Sequence, residues 1–446
     1  MADKSATIVA DLGFGDAGKG TVIDHLARRG RVAAVVRFNG GAQARHHVVT
    51  PDGRVHGFAQ FCSGTFVPGM RTHLSRFMLL DPQELLEEAV ALGKLGCGSV
   101  LGRLSIDEQA LVVTPYHRVA NVIRETLRGI GNHGTCGLGI GETMALAIED
   151  PRMAIHARDL RSAGTLVHKA TAIQDYYYEM FGPFLGELPR QVRENYGNAL
   201  CVPDFPHLWG KKTAEFAKSL SIVSGDHLKQ LSREGNLLFE GAQGVLLDEW
   251  RGFHPYTTWS TTTFENAQTL LREIEYEGDV HKLGVLRSYM TRHGAGPFPT
   301  NDPELAKLLP EAHNSADGWQ GEFRVGWFDT VLAQYALHVC NGADSLAITH
   351  LDRIADMANV RMSFAYQGEH TSASLLPVNP DKTNLDAQAE ITKFVQGVTP
   401  IYQDVTLRDE RYADLVGSML STPVSLTSYG PMTTDKRPRL LRGLAA

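Results

Sequence analysis

Cysteine is scarce. The five residues Cys62, Cys97, Cys136, Cys201 and Cys340 are scattered, odd in number and form no C-x-x-C pair. That argues against a disulfide framework and predicts a reducing, cytoplasmic setting. Long apolar runs are missing too: none approaches the roughly 20 residues that cross a bilayer. Met1-Ala2-Asp3-Lys4 lacks the basic-then-apolar opening of a signal peptide. Neither observation leaves an expectation of membrane association. Excess charge of one sign is also absent. A net charge of −7 over 446 residues offers no polyanion-binding surface, so nucleic acid is not an expected partner. Repeats, low-complexity tracts and linkers are lacking, which predicts one domain over residues 1–446.

What is present is glycine at telling places. Residues 6–12 read as a buried strand, and a helix begins near Val22. Between them lies Gly13-Phe14-Gly15-Asp16-Ala17-Gly18-Lys19-Gly20-Thr21. Strand, glycine loop and helix together cradle phosphate, because loop N–H groups and the helix N-terminus face the anion. Gly13 to Lys19 has P-loop spacing, but Gly20 stands where Ser or Thr should follow the lysine, and Thr21 comes one place late. The plain alternative is a tight turn that lets helix pack on strand. Asp16 is the odd member: a carboxylate in an anion loop serves a metal or a proton.

The rest alternates strands with helices, which predicts an α/β fold around a mostly parallel central sheet, with helical and small β insertions. Residues 31–38 read as a strand that delivers Asn39 to His47 to the ligand edge. His46 and His47 lack a third metal ligand nearby, so one of them as acid or base is the better reading than zinc. Short sheet elements are expected at 57–66 and 78–80, and helices at 82–95 and 114–127, the latter with Val119, Val122, Ile123 and Leu127 inward. A second glycine-rich stretch spans 129–141, readable as a surface loop or as a loop that closes over an anion with Thr135. Residues 159–231 read as mainly helical, with Tyr176, Tyr177 and Tyr178 a core stripe. Strands return at 237–239, 283–289, 343–348, 360–366, 400–402 and 424–427, with a helix at 327–340. Asp352, just after a strand, can accept two hydrogen bonds from a guanine edge or simply cap a helix.

Taken together, these motifs resemble the adenylosuccinate synthetase family along nearly the whole chain. Residues 16–20 resemble its Gly-Asp-Glu-Gly-Lys-Gly loop, and 40–47 its Gly-Gly-x-Asn-Ala-Gly-His-Thr loop. Residues 134–141, 239–248, 291–300, 326–329 and 349–352 match further family motifs in the same order. The resemblance implies a GTP-dependent ligase that phosphorylates O6 of IMP and displaces the phosphate with the amino group of L-aspartate, using Mg2+. It implies Asp16 as base and magnesium ligand, His46 as general acid and Lys19 as phosphate cation. It implies that Gly15, Gly18, Gly20, Thr21, His350, Asp352, Gly430 and Pro431 hold GTP. Gln43, Thr135, Gln243, Thr258 and Arg324 would hold substrate, and the backbone carbonyl of Arg45 the metal. A homodimer is implied as well, with Arg152 reaching the partner's site.

Departures sit at specificity positions. Ala17 replaces a family Glu, Gln43 an Asn, Cys136 a Thr, Leu138 an Arg, His293 a Val and His350 a Lys. Arg45 and His47 flank His46 where the family has Gly and Thr. Before Trp327, residues 314–324 lack the family's arginine run: Arg324 alone persists, and Glu322 stands where an arginine is expected. Two alternatives therefore stand beside the implied reaction: the same mechanism on another purine nucleotide or amine, and a GTP-binding relative without turnover.

Overall fold

A computed structural model describes residues 4–129, 135–311, 321–369 and 371–439. The chain opens with β1 (Ser5–Asp11), helix α1 (Lys19–Arg29) and β2 (Val32–Arg37). A hairpin of β3 (His46–Val49) and β4 (Val55–Phe58) follows, then β5 (Arg71–Leu74) and β6 (Leu104–Asp107). After a helical stretch come β7 (Ser221–Val223), β8 (Asn236–Glu240), β9 (Asp279–Arg287), β10 (Met290–His293) and β11 (Phe323–Gly326). The last third holds β12 (Phe328–Asp329), β13 (Ser345–Thr349), β14 (Val360–Gln367) and β15 (Ser372–Ala373). It ends with β16 (Thr399–Val405), β17 (Val424–Ser428) and β18 (Lys436–Pro438).

Ten strands form the central sheet in the order β18-β17-β13-β9-β1-β8-β2-β5-β6-β7. Every pairing in it is parallel except that of β17 with β18. This is the mixed α/β, mostly parallel sheet that the sequence pattern predicts. The middles of its central strands are mainly apolar because both faces are covered. Along β1, Ala6, Ile8 and Ala10 join one core cluster while Val9 joins another with Val22, Ile23 and Ala27 of α1. That period of two is the pleat made visible.

Several short strands escaped the sequence pattern, β5, β6 and β7 of the central sheet among them. β5 and β6 carry Thr72, His73 and Ser105 among few apolar residues, so neither reads as a strand. Instead of sheet elements, 59–70 is turns and 78–80 contributes only a bridge from Leu80 to Val112. Within the helical stretch, Ser221–Val223 adds an edge strand. Helix 115–128 buries Val119, Val122 and Ile123, but Leu127 is exposed, being past the packed face. Of the tyrosine stripe, Tyr177 is core and Tyr178 faces outward. The helix expected from Trp327 starts at Thr330, because Asp329 caps it after β12.

Asp329 is fully buried, accepts from the backbone N–H groups of Val331 and Leu332, and accepts from Tyr366 Oη at 2.7 Å. Replacing it with Ala removes a cap and strands a buried hydroxyl, an expected loss of about 2–4 kcal/mol in chemical denaturation. Burial also raises its carboxyl to about 7. A raised acid favours the folded state at low pH and loses that contribution as pH climbs from about 4 towards 7. Asp329→Asn should flatten the fall in stability across that window.

Candidate active site

Parallel pairing brings the carboxyl ends of β1, β2, β8, β9 and β13 to one edge of the sheet. Asp11, Arg37, Glu240, Arg287 and Thr349 stand there, and the loops that follow them meet beyond it. This is where open α/β sheets bind ligands.

The loop after β1 is folded around one carboxylate. Asp11, 1% exposed, accepts from Gly13 N at 2.8 Å, Ala17 N at 2.9 Å and Lys19 Nζ at 2.9 Å. Gly15, Asp16 and Gly18 all take positive φ (103°, 58° and 85°), which turns the chain tightly between strand and helix. No side chain caps α1 at Gly18, so its first N–H groups are left for an anion. Gly20 has a steric reason to depart from the P-loop pattern. A Cβ there would lie 2.8 Å from His46 Cβ and 2.9 Å from Ser63 Oγ. Thr21 Oγ1 instead donates back to Gly18 O at 3.0 Å.

His46, at the head of β3, lies on this loop. Its Nδ1 is 2.6 Å from Oε1 of Glu240, which is buried at the end of β8 and also accepts from Ser63 N and Oγ. Burial pushes the His46 imidazole below its ordinary range, against the pull of Glu240. Burial opposes the Glu240 charge too, but the His46 and Ser63 hydrogen bonds and the charges of His46 and Arg37 hold its carboxyl low. That leaves His46 Nε2 buried and without a partner. Both amide atoms of Gln43, on the loop after β2, and both of Gln243, on the loop after β8, are buried and unpartnered as well. Gly40 packs so closely that a Cβ would be 2.8 Å from Ala242 and 3.2 Å from Gln243 Oε1. Unspent buried polar atoms on neighbouring strand-end loops mark a place for a polar ligand.

Asp16 reaches the same edge from the other side. Its carboxylate, 43% exposed, lies 3.0 Å from His293 Nε2 on β10. Packing of the loop works against its charge, but the His293 hydrogen bond and the charges of His293, Arg287 and Lys19 keep its carboxyl well below the usual range. His293 faces Phe323 across the β10–β11 pairing, with ring centroids 4.7 Å apart. The neighbouring arginines build the wall. Arg292, 2% exposed, lies over Phe14 and donates to the carbonyls of Ala295, Pro297 and Tyr256. Arg324 Nη2 donates to Gly294 O and Gly296 O.

Further along the edge, His350 follows β13 with φ 57°. Its Nε2 lies 2.8 Å from Arg287 Nη2 and its Nδ1 2.9 Å from Thr349 Oγ1. Thr349 Oγ1 donates to Ala17 O, so His350 carries its proton on Nδ1 and has no donor left. Asp352 is exposed, and partial burial raises its carboxyl. Gly430 and Pro431 lie in the turn between β17 and β18.

Other expected residues make local contacts. Thr135 Oγ1 accepts from Asn121 Nδ2, and the stretch 130–134 beside it lies outside the described residues. Residues 314–320 do so as well, whereas 321–324 are described. Thr258 donates its backbone N–H to Leu247 O. The Arg45 side chain pairs with Glu84 at 3.4 Å. Arg152 is 89% exposed and pairs with Asp150. Sequence reasoning passed over Asp11, Ser63 and Arg287. The available signal was a charge ending an otherwise apolar strand, as Asp11 and Arg287 do.

The packing around Gly20 makes a test. Gly20→Ser restores the P-loop consensus yet drives a Cβ into His46. We expect turnover to fall about 10²-fold with the circular dichroism spectrum unchanged. A steady-state assay that finds full activity would show that the close approach is not needed.

Comparison with known proteins agrees with this geometry. A model of the adenylosuccinate synthetase family matches residues 8–436. The adenylosuccinate synthetase of Shouchella clausii is 28% identical over 99% of this chain and 100% of the relative. That of Thioalkalivibrio sulfidiphilus is 31% identical over 94% of each. The solved, fully ligated adenylosuccinate synthetase of Plasmodium falciparum gives a TM-score of 0.78 at 21% identity, covering 97% of this chain and 99% of that one. The succinoaminodeoxyadenylate synthetase of cyanophage S-2L, solved with dGMP and dATP, gives 0.60 at 18% identity, covering 98% and 95%. Those two structures share the fold. Matched along almost its full length, the chain belongs to the adenylosuccinate synthetase family.

Proposed function

We propose that the residues at the strand ends divide the family's reaction among them as follows. The chain is a GTP-dependent, GDP-forming ligase that joins IMP to L-aspartate to give adenylosuccinate. An amide-like oxygen leaves poorly, so O6 of IMP first attacks the γ-phosphorus while the N1 proton passes to Asp16. GDP departs and a 6-phosphoryl purine remains. The aspartate amine then adds at C6, and phosphate leaves with O6 as the amine gives up its proton.

Oriented by Glu240 on Nδ1, His46 donates from Nε2 to the transferring phosphoryl group once the charge of the bound phosphates has brought it to the imidazolium form. Positioned acids and bases of this kind contribute roughly 10²–10⁴-fold each. Loop N–H groups, the start of α1 and Lys19 offset the charge that gathers during transfer. Gln43 and Gln243 bind the purine, with Thr135, Thr258 and Arg324 on the remaining substrate groups. Gly15, Gly18, Gly20 and Thr21 line the phosphates of GTP, and His350, Asp352, Gly430 and Pro431 its base. The observation that carries this reading is that the loops at one sheet edge hold the buried, unpartnered Nε2 of His46, four buried and unpartnered amide atoms of Gln43 and Gln243, and Asp16 in the phosphate loop.

Magnesium is part of the proposal. Among the described residues no three His, Cys, Asp or Glu side chains gather to hold a metal. Mg2+ is commonly held by one or two carboxylates plus substrate phosphates. Asp16 and the backbone carbonyl of Arg45 fit that kind of site, where the ion would neutralise phosphate charge. The five free cysteines support a cytoplasmic setting. A homodimer is proposed, with Arg152 serving the partner's substrate.

Asp16→Asn tests the assignment. Adenylosuccinate formation from GTP, IMP and aspartate should fall by at least about 10²-fold, while calorimetry finds GTP still bound. Turnover within a few-fold of the parent protein would remove Asp16 from proton transfer.

A further inference from the structure

Reading a guanine base takes both acceptors and donors. Its N1–H and exocyclic N2 amine suit a carboxylate, and its O6 and N7 need a donor. Asp352, exposed beyond β13, can take the first role. For the second, His350 is spent: one ring nitrogen accepts from Arg287 and the other donates to Thr349. Arg353 Nη2 is committed to Pro310 O.

Lys436 is different. It is 5% exposed, in register with Ser428 across the β17–β18 pairing, and its Nζ donates to Gly430 O at 2.7 Å. An ammonium carries three donors, and that bond uses one. The charges of Asp435, Asp24 and Asp352 all act on Lys436, yet among the described residues no carboxylate lies within ion-pair distance of it. A buried cation without a partner costs stability unless something polar completes its shell. Its neighbours are the Gly430-Pro431 turn and the field of Asp352, where the base of GTP lies on the ligase reading above.

We infer that Lys436 reads the acceptor edge of the guanine base and sets the preference of this chain for GTP over ATP. The inference rests on that reading for the position of the base. The lysine of the family motif is His350 here, and Lys436 restores a cation to the pocket from another strand. An adenine base would turn an amino group, not O6, towards that ammonium, and the two donors would repel.

The test uses the full chain and two readouts. Calorimetry gives Kd for GTP and for ATP without IMP or aspartate, and steady-state assays give KM for GTP. For Lys436→Met we expect GTP affinity to fall about tenfold or more, with ATP affinity little changed. KM for GTP should rise far more than kcat falls, and Lys436→Arg should keep the preference. If the Met variant does not fold, the wild-type protein still decides, because 6-thio-GTP presents a weaker acceptor at position 6 and must bind it distinctly worse than GTP. Equal binding of GTP and 6-thio-GTP, or a Met variant that loses GTP and ATP affinity alike, overturns the inference. A protein that makes no adenylosuccinate but loses its GTP preference in the Met variant overturns the ligase reading and leaves this one standing.

Discussion

One buried carboxylate organises the site. Asp11 closes the loop after β1 by taking the N–H groups of Gly13 and Ala17 and the ammonium of Lys19 at once. Breaking a buried pair of this kind leaves an uncompensated charge, which costs about 3–5 kcal/mol. The loop is therefore a fixed turn before any ligand arrives. Its rigidity turns Asp16 outward in a left-handed conformation, sets the start of α1 and leaves the first helical N–H groups open. It also fixes Gly244 against Gly13 and Gly15, where no side chain would fit. A preorganised loop spends no reorganisation energy when phosphate charge develops.

Around that fixed turn the chain keeps its chemistry and rearranges its charges. His46, Glu240 and Ser63 form one buried hydrogen-bonded set, and Asp16 in the loop after β1 meets His293. The periphery differs from the family pattern. A histidine stands at 293 and contacts Asp16, and a neutral histidine at 350 is locked between Arg287 and Thr349. Arg324 is drawn into the wall by two carbonyls, and Phe323 supports His293 from across the strand pair. The two histidines are thus each held by local partners.

Much of this was legible in the sequence because the central strands are apolar on both faces and end in glycine and polar residues. β1, β2, β8, β9 and β13 all announce themselves that way. The strands that did not, β5, β6 and β7, are short and carry polar residues that find partners only in the assembled sheet, as His73 does with Ser105. The loop aspartate and histidine stood out by residue type. Asp11 did not, because a charge at a strand end has no distinguishing pattern until three donors from residues 13–19 are seen to converge on it. Lys436 was equally silent. Its isolation among three carboxylates arises from β17–β18 pairing and from α1, elements far apart in the chain.

The central claim is that this site moves the γ-phosphoryl group of GTP onto O6 before the amine arrives. Oxygen labelling tests it most directly. With IMP carrying 18O at position 6, phosphate collected after one turnover with GTP and aspartate should contain one 18O per molecule by mass spectrometry. Phosphate that carries no label, with the 18O found in water, would contradict the account.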